Sequence, residues 1–378
     1  MSGQGSRTDP VEMKPREVLA RRMHSLLLAP SSPEARTVAE VVEWFGAMQA
    51  QDIGSGLWSL GARLPGHTIE DVQQALEDKQ ALRTWPMRGT VHFVPSRDAR
   101  WMLELTGAKV LEGAERRHEH HDLDRQAMTK AVDVLGAALS GGGRMTRAEC
   151  LQVLEEAGIG TQRQRSYHFL WYASQVGVTC IAPSIGNEQT FVLLDEWVPD
   201  PARPGRAEAL ATLAIRYFRS HGPTTRKDFM GWTGLNTAEA KEAIAEAGDE
   251  LTRITCEGVE MYCPPALLDA PATPPRTVRA LPGFDEYLLG FKDRGLMVDA
   301  AHAQAIVPGN NGVFRPTIVR SGRVIATWRK KSLTRAGQRI EVDPLVSVSD
   351  SARAAITSAF APYERFLGTP VELLWPEL

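Results

Sequence analysis

Residues 221–235 read HGPTTRKDFMGWTGL, and this stretch decides the fold. Gly222 and Pro223 favour a turn, and Thr225 can cap the short helix that follows it. The helix leads into a second helical segment, NTAEAKEAIAEAG, and then into LTRITCEGVEMYCP, whose pattern is typical of a β-hairpin. Two successive helices followed by a hairpin are the elements of a winged helix, a variant of the helix-turn-helix.

The same order of elements is predicted twice upstream. Thr37 and Thr68 can cap helices that precede the strand-like stretch ALRTWPMRGTVHFVP (81–95). Further on, TRAECLQVLEEAG and RSYHFLWYASQ are helical in pattern, and VTCIAP and QTFVLLDEWVP form the hairpin pattern. The sequence therefore predicts three tandem winged-helix units after a flexible tail. We assign the tail to residues 1–12 and the units to residues 13–125, 126–205 and 206–270.

A proline-rich linker, DAPATPPRTVRALPG (269–283), separates these units from the last part of the chain. After it, GVFRPTIVRSGRVIATWRKK and RIEVDPL are strand-like, and the RSG between two β-rich runs favours a hairpin turn. A final helical stretch, DSARAAITSAFAPYERFL, precedes VELLW. We assign residues 271–378 to a β-rich C-terminal domain, which makes the predicted fold class α+β.

Composition excludes several classes of protein. The 378 residues are 43% hydrophobic, and neither an apolar run long enough to span a membrane nor a signal peptide is evident, so we expect a cytoplasmic protein. None of the four cysteines stands in a CxxC pair, which argues against zinc fingers, iron–sulfur clusters and a disulfide framework. The cluster RRHEHHD (116–122) is better explained as a solvated helix end than as a metal site, and no metal is predicted.

Positive charge is concentrated in one segment of an acidic chain. The net charge is −3, yet residues 276–339 contain 12 Lys and Arg against 4 Asp and Glu. The densest part is FRPTIVRSGRVIATWRKK (314–331), which we expect to contact the phosphate backbone of a nucleic acid. Arg315, Arg329 and Lys330 are the predicted contacts in this segment.

Two other stretches carry candidate nucleic-acid contacts. WPMRGTVHF (85–93) places Arg88 and His92 on a predicted wing, and TQRQRSYHF (161–169) places Arg163 and Arg165 near the start of a predicted recognition helix. Structural hydrogen bonding for Arg88 and plain solvation for the later arginines are the alternatives. The paired acids in GFDEYLLGFKDR (283–294) are interpreted as structural ion pairs, because neighbouring residues on a strand point to opposite faces.

The stretch GAMQAQD (46–52) sets Gln49 and Gln51 on either side of Ala50, at the end of a helical pattern. Taken alone, the two amides could cap a helix end or fill a polar interface. However, GAMQAQD, RTWPMRGTVHFVPSRDARWML, LPGFDEYLLGFKDR and FRPTIVRSGRVIATWR occur in this order, and together they resemble the winged-helix family of the AlkZ and YcaQ DNA glycosylases. The resemblance spans roughly residues 16 to 375.

This resemblance implies tandem winged helices around DNA and the removal of N7-alkylated guanine, including bulky and crosslinked adducts. It also implies that Gln49 and Gln51 form the catalytic motif, in the two-glutamine form that is similar to the antibiotic self-resistance branch. We expect no cofactor, a monomer, and duplex DNA with an alkylated guanine as the partner. The rival hypothesis is a non-catalytic winged-helix DNA-binding protein, such as a transcription regulator.

Two glutamines can suffice for this chemistry. An N7-alkylguanine carries a positive charge and leaves without protonation, so no general acid is needed. The enzyme must orient a water molecule and stabilise an oxocarbenium-like transition state, which is a matter of proximity and electrostatics. A glutamine carbonyl accepts a hydrogen bond from that water. Asp52, directly after the motif, is expected to cap the next helix.

Overall fold

The computed structural model describes residues 10–120, 123, 125–186, 188–334 and 337–376, with the backbone alone for residues 114–120. Helices and three β-sheets are combined in one chain, so the predicted mixture of helices and sheets is confirmed. No helix in these described ranges is both long and apolar enough to cross a membrane.

The first predicted unit contains two helices, a short strand, two further helices, a hairpin and a last helix. Thr37 and Thr68 cap two of its helices as predicted, each in a capping box. The short strand pairs with the second strand of the hairpin, and Ala47 leads into it from the end of the preceding helix. The elements are α1 (Pro15–Ser25), α2 (Val38–Phe45), β2 (Met48–Gln49), α3 (Ile53–Gly61), α4 (Ile69–Glu77), β3 (Ala81–Thr84), β4 (His92–Pro95) and α5 (Ala99–His120).

The second unit repeats the order that the first unit shows from α2 onward. Its short strand again pairs with the second strand of its hairpin, and Thr146 caps the helix that follows the strand. The elements are α6 (Arg125–Leu139), β5 (Met145–Thr146), α7 (Arg147–Glu156), α8 (Arg165–Gln175), β6 (Thr179–Ile185), β7 (Glu188–Leu193) and α9 (Leu194–Trp197).

The third unit contains the stretch with which the sequence analysis began. Thr225 accepts a hydrogen bond from the backbone N–H of Asp228 at 3.0 Å and caps the short helix as predicted. Thr224 forms an isolated bridge to Tyr262, in the place that the short strand takes in the other two units. The elements are α10 (Arg206–His221), α11 (Arg226–Thr233), α12 (Thr237–Glu246), β8 (Thr252–Cys256) and β9 (Val259–Cys263).

The end of the predicted tail belongs to the third unit's sheet. Val11 and Glu12 form strand β1 (Val11–Glu12), which pairs in parallel with β8. Residues 1–9 lie outside the described part of the chain. The N-terminus is therefore tied, through its last predicted tail residues, to an element more than 200 residues away.

The hairpins of the first two units share one sheet. Its strand order is β2-β4-β3-β6-β7-β5, and Arg83 pairs with Ile181 where the two hairpins meet. The first two units are therefore fused side by side. The sequence predicted each hairpin, but it did not predict that the two hairpins pair with each other in one sheet.

The C-terminal part is built on a five-stranded sheet of order β10-β11-β12-β13-β14. The single predicted final helix is divided into two at Phe360, which lies directly before α16. The elements are β10 (Val278–Leu281), α13 (Glu286–Leu289), α14 (Ala303–Ile306), β11 (Thr317–Arg320), β12 (Arg323–Thr334), β13 (Gly337–Pro344), α15 (Asp350–Ala359), α16 (Ala361–Leu367) and β14 (Val371–Leu374).

The fused sheet separates two hydrophobic cores. On one face, Met48 and Phe93 belong to a first core that the C-terminal domain completes with residues such as Trp328. On the other face, Leu82 and Val94 belong to a second core that also contains residues of α5, α10 and α11. Because side chains alternate along a strand, each residue of β2 points toward one core or the other. The motif 46–52 therefore lies between the two cores.

Candidate functional site

The motif GAMQAQD occupies the short strand of the first unit and the turn after it. Gly46 ends α2 with a φ of 77°, a backbone conformation that favours glycine. The pairing of β2 with β4 continues past the strand, where Ala50 donates its N–H to the carbonyl of Val91 at 2.9 Å. Asp52 then caps α3 by accepting the N–H of Ser55 at 2.7 Å, which confirms its predicted role. Gln49 is thus fixed by strand pairing, and Gln51 lies in the turn between this strand and α3.

Gln49 forms a row with His92 and Thr84 across the sheet. His92 is the cross-strand partner of Gln49 in β2 and of Thr84 in β3, so the three side chains share one face. Each carries a buried polar atom that hydrogen-bonds to no other described residue: Gln49 Oε1, His92 Nε2 and Thr84 Oγ1. Buried polar groups nearly always have a partner, so this row has free capacity to hold a hydrogen-bonding group.

Gln51 has a different environment. Its side chain is exposed, and its Oε1 accepts the backbone N–H of Val91 at 3.2 Å. It borders a cavity of about 280 Å³ whose walls include Arg83, Trp85 and Tyr167. The carbonyl of Gln51 is therefore already engaged, whereas that of Gln49 is not. The two amides do not have equivalent roles in this geometry.

Arg83 is a residue that the sequence analysis missed. Its side chain is buried beneath the motif, and one guanidinium nitrogen donates to the carbonyl of Ala50 at 3.2 Å. Burial lowers the pKa of Arg83 to about 10, which still leaves it charged at neutral pH. The sequence signal that could have revealed Arg83 is a charged residue inside the strand-like stretch ALRT, because charged residues are rarely buried without a partner.

The adjacent acids Asp285 and Glu286 bind the elements on either side of the Gln51 turn. Asp285 caps α13 and forms a bidentate ion pair with the buried Arg63, two residues after the end of α3, at 2.8 and 2.9 Å. Glu286 Oε1 accepts the backbone N–H of Gln49 at 2.9 Å. The prediction of a structural ion pair is thus confirmed for Asp285. The link from Glu286 to Gln49 was not predicted.

His92 is fully buried, so the prediction that it contacts DNA is corrected. A ring with no exposed surface cannot reach a phosphate. Its Nδ1 lies 2.8 Å from the carbonyl of Thr90, which requires the proton on Nδ1 and leaves Nε2 as an acceptor. Burial and the nearby Arg88 guanidinium lower the pKa of His92 to about 4, so the ring is neutral near pH 7.

Arg88 has a structural partner. It lies on the turn of the first hairpin with a positive φ of 54°, and it donates to the carbonyl of Gly231 in α11 at 3.1 Å. Its side chain is half-buried, and burial lowers its pKa. The structural alternative for Arg88 is therefore realised, and a phosphate contact stays a prediction for its exposed part.

The other predicted DNA contacts lie at the surface. Arg163 is exposed just before α8, whereas Arg165 is half-buried and donates to the carbonyl of Gly160 at 2.8 Å. Arg315 and Lys330 are exposed and form no ion pair with any residue in the described ranges, whereas Arg329 is bidentate with Glu341. Contact with DNA remains a prediction for all of them.

Lys330 lies close to the motif. Its Nζ is 3.9 Å from the point where a Cβ on Gly54 would stand, in the first turn of α3. Asp52 Oδ1 is 3.7 Å from the same point. The fold therefore brings the basic strand β12 beside the start of α3, more than 270 residues away in sequence. A DNA strand that binds Lys330 would pass next to the motif.

No metal cluster is found within the described ranges. The histidine-rich stretch 116–122 lies outside the part of the chain whose side chains are described, so its prediction is untested. All four cysteines are buried and free, and burial raises the pKa of Cys150 and Cys263 to about 12. These thiols are unsuited to nucleophilic chemistry.

Comparison with known proteins gives consistent results. The family described as DNA glycosylase AlkZ-like matches residues 42–366. An interstrand DNA cross-link repair glycosylase of Streptomyces sahachiroi is 28% identical over 329 residues, which cover 83% of this chain and 87% of that protein. The solved structure of the Streptomyces sahachiroi DNA glycosylase AlkZ superposes with a TM-score of 0.80, at 24% identity, over 96% of this chain and 100% of that chain. The last comparison establishes the shared fold.

Proposed function

The chain belongs to the AlkZ-like family of DNA glycosylases, and from this membership we propose that it releases N7-alkylated guanine from duplex DNA, including bulky and crosslinked adducts. The reaction is hydrolysis without a cofactor. The bond between C1′ and N9 of the lesion breaks, a bond from the water oxygen to C1′ forms, and the proton of the water passes to solvent. The base leaves as a neutral species because its positive charge takes up the bonding electrons.

The observation that carries this proposal is the free carbonyl of Gln49. Its Oε1 is buried, is fixed by the pairing of β2 with β4, and has no partner among the described residues. It can accept a hydrogen bond from the attacking water without first breaking another bond. Such preorganisation lowers the barrier, because no reorganisation is needed at the moment of reaction.

Gln51 has a secondary role in this proposal. Its carbonyl oxygen accepts the backbone N–H of Val91, so its amide nitrogen is the atom available to the cavity of about 280 Å³. Trp85 and Tyr167 give this cavity aromatic walls, and Arg83 and Arg147 give it positive charge. Two guanidinium groups disfavour a cationic base and favour a phosphate. We therefore assign the cavity to the sugar-phosphate of the damaged nucleotide.

DNA binding is assigned to the three helix-and-hairpin units, interpreted as tandem winged helices, and to the basic strand β12. Arg163, Arg315, Lys330 and the exposed part of Arg88 are the proposed backbone contacts, with smaller contributions from Arg165 and Arg329. A guanine that is crosslinked to the opposite strand cannot be fully extruded from a duplex. A motif at the edge of the fused sheet suits such a substrate better than a deep pocket. A monomer in the cytoplasm suffices for this function.

The test is a single-turnover assay on duplex DNA that carries one N7-methylguanine, with Gln49→Ala, Gln51→Ala and the matched control Gln152→Ala. Gln152 is an exposed glutamine on α7. We expect Gln49→Ala to slow base release by about 100-fold or more, as the loss of a preorganised catalytic hydrogen bond does elsewhere. Gln51→Ala should have a smaller effect, and Gln152→Ala should release base at the wild-type rate.

DNA affinity is measured in parallel by fluorescence anisotropy. Affinity that is unchanged within about twofold in Gln49→Ala would separate chemistry from binding. Two results would contradict the proposal: no base release by the wild type from either this duplex or a crosslinked one, or full activity of Gln49→Ala. The first result, with DNA binding intact, would favour the non-catalytic DNA-binding protein.

A further inference from the structure

The carboxylate of Glu286 lies directly behind the strand that carries Gln49. Its Oε1 accepts the backbone N–H of Gln49 at 2.9 Å, and its Oε2 accepts the indole N–H of Trp232 at 3.0 Å. His221 Nε2 lies 3.2 Å from the same Oε2 and must be the donor, because a carboxylate only accepts. Donors from β2, α10 and α11 thus converge on one buried residue of the C-terminal domain.

Glu286 stays ionised in this position. Burial acts to raise its pKa, but the hydrogen bonds from His221 and from the N–H of Gln49 outweigh burial, so the pKa lies below its ordinary value. No Lys or Arg of the described ranges forms an ion pair with it. Its one ion-pair partner among the described residues is His221, and only when that ring is protonated. With the His221 ring neutral and donating from Nε2, the fully buried carboxylate is a net negative charge inside the protein.

The two glutamines have no such charge, and Asp52, the one acid of the motif, is exposed and caps α3. Gln49 and Gln51 are neutral, whereas the transition state of the proposed reaction places positive charge on the sugar. Opposite charges interact strongly where water is excluded. We propose that Glu286 is a positioning residue for this reaction: it fixes the backbone of Gln49 and supplies, from behind the motif, the negative charge that two glutamines lack. This inference rests on the proposed function.

The neighbouring contacts make Glu286 a rigid support. Asp285 is bound to Ser59 of α3 and to Arg63 just after that helix, which follows the motif. Glu286 is bound to β2, the strand that carries Gln49. One pair of adjacent residues therefore fixes the strand and the helix on either side of the Gln51 turn. A residue that only filled space would not need three donors, and an uncharged side chain would satisfy the packing.

The test uses Glu286→Gln with two matched controls. Glu286→Gln keeps the shape and an acceptor for Gln49 but removes the charge, and its amide nitrogen also faces two donors, which lowers stability. Trp232→Phe removes one of these donors and keeps the charge. Glu43→Gln removes one negative charge from α2, where Glu43 is half-exposed and paired with Arg216. Melting temperatures and hydrogen exchange of residues 46–52 establish that each variant is folded around the motif.

We expect Glu286→Gln to slow single-turnover base release at saturating enzyme by about tenfold or more, while DNA affinity stays within about twofold. Trp232→Phe and Glu43→Gln should remain within about threefold of the wild-type rate. A wild-type rate in Glu286→Gln, or equal slowing in Trp232→Phe, would overturn the inference and leave Glu286 with packing alone. Failure of the wild type to release base would instead overturn the proposed function, and with it this role.

Discussion

His92 shows how burial changes the chemistry of a single residue. The ring has Arg88 and Glu286 nearby, and the carbonyl of Thr90 is its hydrogen-bond partner. Arg88 and burial both disfavour a proton on the ring, and Glu286 opposes them without prevailing. A neutral imidazole with a free Nε2 next to Gln49 is a hydrogen-bond acceptor, like the amide carbonyl beside it. His92 therefore supplies no acid beside Gln49 near pH 7.

A consequence of this environment is acid sensitivity. The folded pKa of about 4 lies below the unfolded value of about 6.5, so the stability that neutral His92 contributes is present above pH 6.5 and is lost as pH falls toward 4. Between these two pH values the unfolded chain binds a proton on His92 and the folded chain does not. The difference corresponds to about 3 kcal/mol of the free energy of unfolding.

We therefore expect His92→Gln to lose less stability than the wild type between pH 7 and pH 4.5, as measured by urea unfolding at both values. His67→Gln, at a half-buried histidine between α3 and α4, is the control and should keep the wild-type sensitivity. Equal loss of stability in the wild type and His92→Gln would mean that other groups dominate acid unfolding.

At the residue scale, local roles could be predicted and distant ones could not. The cap formed by Asp52 depends on a hydrogen bond to a residue three positions away, so the sequence carries the whole interaction. The bond between Gln49 and Glu286 joins residues 237 positions apart, and nothing in either neighbourhood indicates the other. The small size of Ala50 was not predictable either, because it depends on packing against α3, where a Cβ on Gly56 would stand 3.3 Å from Ala50.

The strand β12 is the element on which the predicted DNA contacts concentrate. It has 12 residues, and its side chains from Arg329 to Thr334 are all exposed. Its charges are not equivalent, because Arg329 and Lys331 are paired with Glu341, whereas Lys330 has no ion pair within the described residues. A paired arginine releases fewer counterions on binding DNA than a free lysine, because its charge is already compensated.

This difference predicts distinct salt dependences. Lys330→Gln should reduce the slope of log affinity against log salt concentration by about 1, and Arg315→Gln should do the same. Arg329→Gln is the comparison and should change the slope less. The measurement is fluorescence anisotropy with an undamaged duplex between 50 and 200 mM salt, a range chosen from the usual size of the effect. A larger change for Arg329→Gln than for Lys330→Gln would contradict the assignment.

At the scale of elements, helices with local caps were predictable, and the pairing of distant strands was not. Thr37, Thr68 and Thr225 mark helix starts because each cap is a contact within one turn. The fusion of two hairpins depends on the pairing of Arg83 with Ile181, almost 100 residues apart. Strand pairing at that distance does not alter the local sequence pattern, so the sequence predicted two separate units.

The whole molecule is held together by cores that cross the predicted domain boundaries. Trp58 of α3 packs against Tyr363 and Phe366 of the C-terminal domain, with ring centroids 4.8 and 5.1 Å apart. Its indole N–H donates to the carbonyl of Ala280 at 3.0 Å. Gly61 allows this approach, because a Cβ there would stand 2.5 Å from Phe366. The first unit and the C-terminal domain therefore share one core, although their linker predicts two separate bodies.

A chain that ends at residue 270 should accordingly lose the fold of the first unit. It would expose Trp58, leave Arg63 buried without Asp285, and remove Glu286 from behind Gln49. Loss of one large aromatic contact costs about 3–5 kcal/mol, and loss of one partner from a buried ion pair costs a similar amount. Total stabilities are about 5–15 kcal/mol, so these losses are sufficient to unfold the unit.

The measurement is thermal unfolding by circular dichroism, together with limited proteolysis. The full chain should show one cooperative transition for the first unit and the C-terminal domain, whereas residues 1–270 should show early cleavage within residues 38–95. The second core joins α10, α11 and α12 to residues of the first two units, such as Leu82 and Val192, so unfolding of the first unit should also make the third unit more sensitive to protease in the truncated chain. A truncated chain with an intact first unit would mean that the C-terminal domain serves DNA binding alone, and that Gln49 is held in place without Glu286.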